Sequence, residues 1–212
     1  MAPRLAADDR RKEIVGSVRK IIAEKGLDGV KSCELARAAG VSEGLLFKYF
    51  PNKEALHAAI QSSMCMDPHL PDVPPSSDAL IDHLRWHLHW LLVKPGPEEG
   101  VDLGRMLLRS IAGDGEFARD FYAKASSPQV GWIEKCLAAA EKAGELERPA
   151  GKTNVRAWLV VLLRGQVAAI AMAKAVDFGV SRETLVEETL LFSLRGLGFK
   201  DEVLRRSRRG KK

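Results

Sequence analysis

The densest group of chemically capable side chains is His83-Leu-Arg-Trp-His-Leu-His-Trp90. His83 and His87 stand at i and i+4, the spacing that puts two imidazoles on one face of a helix and lets them grip a metal ion. A metal site needs further ligands, yet the nearest acid within helical reach is Asp82, and no His-Glu-x-x-His pattern is present. No metal and no cofactor are therefore expected. An enzyme built on His83 and His87 with Asp82 or Asp78 would also lack a nucleophile motif, a glycine-rich phosphate loop and a credible acid–base pair, so catalysis is not expected. The segment reads instead as a helix whose Trp86 and Trp90 form an aromatic stripe against a core, with the histidines on its polar margins. Cys33, Cys65 and Cys136 are odd in number, widely spaced and without a Cys-x-x-Cys pair, which points to reduced thiols.

A second set of residues carries binding chemistry. Leu35, Ala36 and Ala39 form a small apolar face on a helix that stops at Gly40, the residue type that takes a left-handed conformation without strain. Ser42 can cap a new helix over Glu43 to Tyr49, with Val41 and Leu46 turned inward to pack the two helices at a steep angle. That leaves the second helix with one face free, as in a helix-turn-helix whose exposed helix enters the major groove. An earlier helix, from about Asp9 to Lys25, places Ile14, Val18, Ile21 and Ile22 at helical spacing and ends at Gly26. After Pro51, Asn52 can cap a fourth helix carrying Leu56, Ala59 and Ile60.

These elements sit in a chain that reads as all-α. No sustained apolar/polar alternation and no hairpin signal is present. Pro68, Pro71, Pro74 and Pro75 interrupt the stretch between Met64 and Asp78, the expected domain boundary. Beyond it, helices are expected at about 77–93, 99–112, 115–126, 128–143, 154–177 and 181–196. Ser127-Pro128 reads as a cap followed by proline at the first helical position, Gly179 as the end of the long apolar helix, and Ser181 as the cap of the last. The predicted organisation is a helix-turn-helix domain over 8–68 with its motif at about 31–50, a helical domain over 69–200, and a basic, disordered tail over 201–212.

The 212 residues are 46% hydrophobic, enough for a substantial core, and carry a net charge of +5. That charge is not evenly spread. Arg205, Arg206, Arg208, Arg209, Lys211 and Lys212 place +6 in the last ten residues, so the other 202 sum to −1. Bulk charge therefore does not establish nucleic-acid binding. Nothing resembles a signal peptide, and the longest apolar run, Ala157 to Leu163, is short for a bilayer, so a cytoplasmic protein with no membrane partner is expected.

The run Leu35-Ala36-x-x-Ala39-Gly40-Val41-Ser42-x-Gly44-x-Leu46-Phe47-x-Tyr49-Phe50-x-x-Lys53-Glu54-x-Leu56 resembles the DNA-binding domain of TetR-type transcriptional regulators. The resemblance covers about the first 60 residues, and many residue types at fixed spacing carry it. It implies that Glu43, Gly44, Leu45, Phe47 and Lys48, behind the capping Ser42, face the groove. It also implies that Tyr49 and Lys53 reach phosphates and that Ser32 and Cys33 lie beside the DNA. A cation and a phenol just outside a reading helix can indeed bond phosphate oxygens and fix its register. The chain departs from the family at two positions: Phe47 stands where many relatives have tyrosine, and Cys33 where some have a guanine-reading arginine. Arg4, Arg10 and Arg11 are candidates for a minor-groove arm.

For the remainder the resemblance implies a larger helical-bundle domain for ligand binding and dimerisation. Val155 to Val176 is apolar almost all round, interrupted by Arg156, Arg164, Gln166 and Lys174, so it must be buried on several sides. In the resembling family the last two long helices form a four-helix dimer bundle, here about 154–196, where Gly165, Ala168, Ala169 and Ala171 permit close approach. Candidate pocket residues are Trp86, Trp90, Met106, Arg109, Phe121, Tyr122, Trp132 and Trp158. The expected function is that of a homodimeric transcriptional repressor released from a palindromic operator on double-stranded DNA by a small-molecule effector. The alternatives are a helical interaction protein with a degenerate helix-turn-helix, or an enzyme using the His83/His87 region.

Overall fold

The computed structural model describes residues 7–26, 29–64, 70–93, 97–148 and 155–209. Among these residues the chain is all-α, and its only β-type pairing is an isolated bridge between Leu146 and Phe199. It divides into two units, Met1–Asp67 with Val101–Tyr122, and Pro68–Gly100 with Ala123–Lys212.

The first unit contains α1 (Ala7–Lys25), α2 (Ser32–Ala38), α3 (Glu43–Tyr49), α4 (Lys53–Met64), most of α6 (Pro97–Ala112) and α7 (Glu116–Phe121). Ile14, Val18 and Ile22 recur at i, i+4 and i+8 on α1 and are buried against Leu35, Leu46, Phe50, Leu56 and Ile60. Each such side chain contributes about 1.5–3 kcal/mol on full burial, which is how helices of seven residues persist here although they would melt alone. Gly26 ends α1 with φ +77°, as its position predicts. Met106 of α6 and Phe117 of α7 complete this core, so the helix-turn-helix rests on residues distant in sequence.

The second unit is built from α5 (Ser77–Leu92), α8 (Ser127–Lys142), α9 (Val155–Met172), α10 (Arg182–Leu197) and α11 (Asp201–Arg209). Its core runs through Leu80, Leu84 and Leu88 of α5, Ile133 and Leu137 of α8, Val160 and Ala168 of α9, and Leu190 and Leu194 of α10. By length and composition α9 could cross a bilayer, but its inward side packs into this core against α5, α8 and α10.

Three sequence expectations need correction. Residues 201–209 are not a disordered tail: α11 buries Val203, Leu204 and Ser207, and Arg206 pairs with Asp78 and Glu145, each at 2.9 Å. Helix α9 ends at Met172, short of Gly179, because Lys174 turns left-handed at φ 53° and the Arg182 guanidinium donates to the Ala171 carbonyl at 2.8 Å. Ser127 is not a cap. A π-helical turn, Tyr122–Ser126, runs straight into α8, and Pro128, which has no N–H to offer the ladder, sits within the first turn of α8.

Candidate nucleic-acid interface

The turn between α2 and α3 is built by backbone bonding. Gly40 takes φ +64°, which aims the next amide back so that Val41 N–H donates to the Ala36 carbonyl at 3.0 Å. Ser42 is extended, and its hydroxyl accepts from the Leu45 N–H at 3.2 Å, capping α3. Asn52 caps α4 in the same way through the Ala55 N–H at 2.8 Å. Glu34 fastens the start of α2: its carboxylate accepts from the Lys31 N–H at 3.0 Å and meets Lys25 Nζ of α1 at 2.6 Å. The Lys25 bond, helped by the Lys31 amide, holds Glu34 below the usual carboxylate range.

With the turn fixed, the faces of α3 separate. Leu46 and Phe50 are buried at 2% and 1%, whereas Phe47 is 41% exposed and stands outside the core. Glu43, Gly44, Phe47 and Lys48 share the exposed side; Leu45, Tyr49 and Lys53 are half-buried at its margin. On α2, Ser32 is half-buried and Cys33 exposed, so its thiol is a free surface group. A shallow depression lined by Ser32, Phe47, Asn52 and Lys53 over a floor of Leu35, Leu46, Phe50 and Leu56 brings three of the predicted residues together.

Arg10 and Arg11 do not form an arm. Both are in α1, Arg10 paired with Glu13 at 2.7 Å and Arg11 lying 4.7 Å over the Phe50 ring; Arg4 is outside the described residues. This cation over an aromatic ring links α1 to the end of α3, a contact that sequence spacing does not reveal.

The pocket candidates fall in both units. In the first, Met106 belongs to the core, Arg109 is exposed and its guanidinium donates to the Glu24 carbonyl, and Phe121 meets Tyr122 with ring centroids 5.6 Å apart. Burial raises the Tyr122 hydroxyl above its ordinary value. In the second, Trp132 is buried in the core, Trp158 packs partly against it, Trp90 is half-buried and Trp86 is 43% exposed. The expected stripe is therefore inverted. His83 is the buried member, at 5% exposure, with the Trp132 ring 5.0 Å away edge-on, while Trp86 faces outward. Burial, helped by the Arg164 charge, pushes His83 down to about 4, leaving a neutral imidazole. Cys136 is buried and its thiol is pushed up to about 11, which makes it unreactive; Cys65 is outside the described residues. Among the described residues no group of three or more His, Cys, Asp or Glu could hold a metal.

Residues 14–60 match the model of the bacterial regulatory proteins of the tetR family. No curated protein sequence matches the chain. Among solved structures, it is similar to NalD of Pseudomonas aeruginosa, the secondary repressor of the MexAB-OprM multidrug efflux pump, with 19% identity and TM-score 0.67 over 92% of this chain and 100% of that one. AibR, solved in complex with isovaleryl coenzyme A and operator DNA, is 17% identical with TM-score 0.65 over 86% and 97% of the two chains. GusR of Salmonella enterica is 18% identical with TM-score 0.63 over 88% and 96%. At these identities the likeness is one of fold. Matched helix-turn-helix and shared architecture agree: the N-terminal domain is that of the TetR-type transcriptional regulators, and the chain carries their all-α fold.

Proposed function

We propose that the protein is a cytoplasmic, homodimeric repressor that reads a palindromic operator with α3 and is released from it by a small molecule bound in the second unit. The observation that carries this reading is the exposed side of α3, where Glu43, Gly44, Phe47 and Lys48 stand free on a helix anchored from behind by Leu46 and Phe50. Glu43 can accept from a cytosine amine, Phe47 can pack on a thymine methyl, and Lys48, Tyr49 and Lys53 can hold phosphates. With Cys33 and Phe47 in place of stronger polar readers, recognition leans on phosphate contacts and DNA shape.

One reading helix covers few base pairs, and two related by a two-fold axis about 34 Å apart give usable affinity. A seam for that dimer is supported by the apolar residues that α9 and α10 leave outside: Val155, Leu159 and Phe192, at 55%, 59% and 66% exposure. Gly165 and Ala169 lie on the outer part of α9, whereas Ala168 and Ala171 are buried in the subunit's own core. The effector must bind the two conformers of the dimer unequally, since equal affinity shifts no population. Selection of bound DNA from a random pool tests the proposal: enrichment of a two-fold symmetric site is the expected result, and a pool that stays random overturns it.

A further inference from the structure

Arg164 stands at the centre of the inward side of α9, flanked by the buried Ala157, Val160, Val161, Ala168 and Ala171, and is itself only 3% exposed. Its Nη2 donates to the amide oxygen of Gln129 on α8, while Nη1 has no hydrogen-bond partner. Among the described residues no carboxylate pairs with it. Two arginines of this unit show carboxylate pairing, whereas the half-buried Arg182 also leaves its Nη1 without a partner while its Nη2 donates to the Ala171 carbonyl. Arg85 meets Glu187, Asp82 and the Ser207 carbonyl, and Arg206 meets Asp78 and Glu145. Burial lowers the Arg164 guanidinium to about 10, which still leaves it charged at neutral pH. A buried cation facing only a neutral amide is costly, and among the described residues nothing offsets it.

A second unsatisfied group lies within reach of the Arg164 charge. His83 of α5 is 5% exposed, and its Nε2 is buried without a partner. Its ring stands 5.0 Å from Trp132 of α8 and 6.2 Å from Trp86. Three helices thus present a cation, a neutral imidazole nitrogen and aromatic surface, with a negative charge as the missing component.

We propose that Arg164 and His83 anchor an anionic group of the effector, so that the small molecule sensed by the second unit is a carboxylic acid. Its carboxylate pairs with Nη1 of Arg164 and accepts from His83 Nε2–H, and its apolar body lies toward Trp132. A monoanion is required because one guanidinium balances one charge; a phosphate dianion would leave a second charge buried beside a neutral histidine. This rests on the reading of the second unit as a sensor and narrows the effector from a small molecule of unstated class to acids.

The test uses the full chain and matched pairs that differ only in charge: hexanoate and hexanol, decanoate and decanol, phenylacetate and 2-phenylethanol, indole-3-acetate and tryptophol. Thermal shift and tryptophan fluorescence report binding. At least one acid is expected to bind about 30-fold or more tighter than its alcohol, and Arg164→Gln to weaken that acid by a similar factor and its alcohol by much less, so that the acid's preference is lost. A wild-type protein that prefers no acid over its alcohol overturns the proposal, as does an Arg164→Gln protein that keeps acid affinity. If that variant does not fold, the wild-type comparison decides alone. Because binding is read without DNA, a failed operator selection beside intact acid binding strikes only the regulator reading. A symmetric operator beside absent acid preference strikes only this inference.

Discussion

Arg19 Nε of α1 lies 3.5 Å from Asp102 Oδ2 of α6, with Asp102 only 5% exposed. This pair, the Arg109 bond to the Glu24 carbonyl and the burial of Met106 and Phe117 make α6 and α7 parts of the unit that carries the helix-turn-helix. Asp102→Ala leaves the half-buried Arg19 without that carboxylate and is expected to destabilise the unit by about 2 kcal/mol. Denaturant unfolding measures it, and an unchanged midpoint would contradict the role assigned to the pair.

Ser42→Ala removes the hydroxyl that accepts from Leu45 and leaves the first turn of the reading helix uncapped. The expected loss is about 1 kcal/mol, with Ser42→Asp retaining most of the stability because aspartate caps equally well. Equal stability of the alanine and aspartate variants would show that the cap does not hold α3.

The elements of the reading unit were legible because their signals are local. Gly26, Gly40, Ser42 and Asn52 each act within about four residues of themselves, and each does in the structure what its position implies. The basic tail was misread for the opposite reason. Arg206 is neutralised by Asp78 and Glu145, partners far away in sequence that no local charge count includes. The inversion of Trp86 and His83 had a readable signal that residue type obscured. Leu80, Leu84 and Leu88 set the phase of α5, and on that phase His83 borders the core while Trp86 falls on the far side. Tryptophan was assigned inward by its hydrophobicity, but helical phase decided.

Lys48 tests the assignment of the exposed face of α3. If it contacts a phosphate, Lys48→Gln lowers DNA affinity by a similar factor on every sequence and reduces the slope of log affinity against log salt by about 0.9 for each subunit, about 1.8 for the dimer. A variant with the wild-type salt slope would place Lys48 in solvent.

His83 links stability to pH. Its folded pKa is depressed from 6.5 to about 4, so between those values the unfolded chain binds the proton that the folded chain refuses. Its contribution is complete above pH 6.5, is lost as pH falls toward 4, and amounts to about 3 kcal/mol at most. His83→Gln cannot titrate, so its stability should fall less than that of the wild type over this window. Superimposable acid-unfolding curves would rule the linkage out.

Arg164→Met separates a structural arginine from one kept for a ligand. A structural arginine, bonded as Arg85 and Arg206 are, costs stability when removed, because its partners are stranded. Among the described residues Arg164 strands only the Gln129 amide, and its own burial depresses it to about 10, equivalent to a penalty of about 3 kcal/mol for the charged form at neutral pH. Methionine is flexible, apolar and of comparable reach, so it relieves that penalty while keeping the interior filled. After the loss of the Gln129 bond, at about 1 kcal/mol, a net gain of about 1–2 kcal/mol remains, and Tm should rise by about 2–4 °C for each kcal/mol. A lower Tm in the methionine variant would mean that Arg164 is held by interactions that offset its burial, and that the unit is already balanced without a ligand.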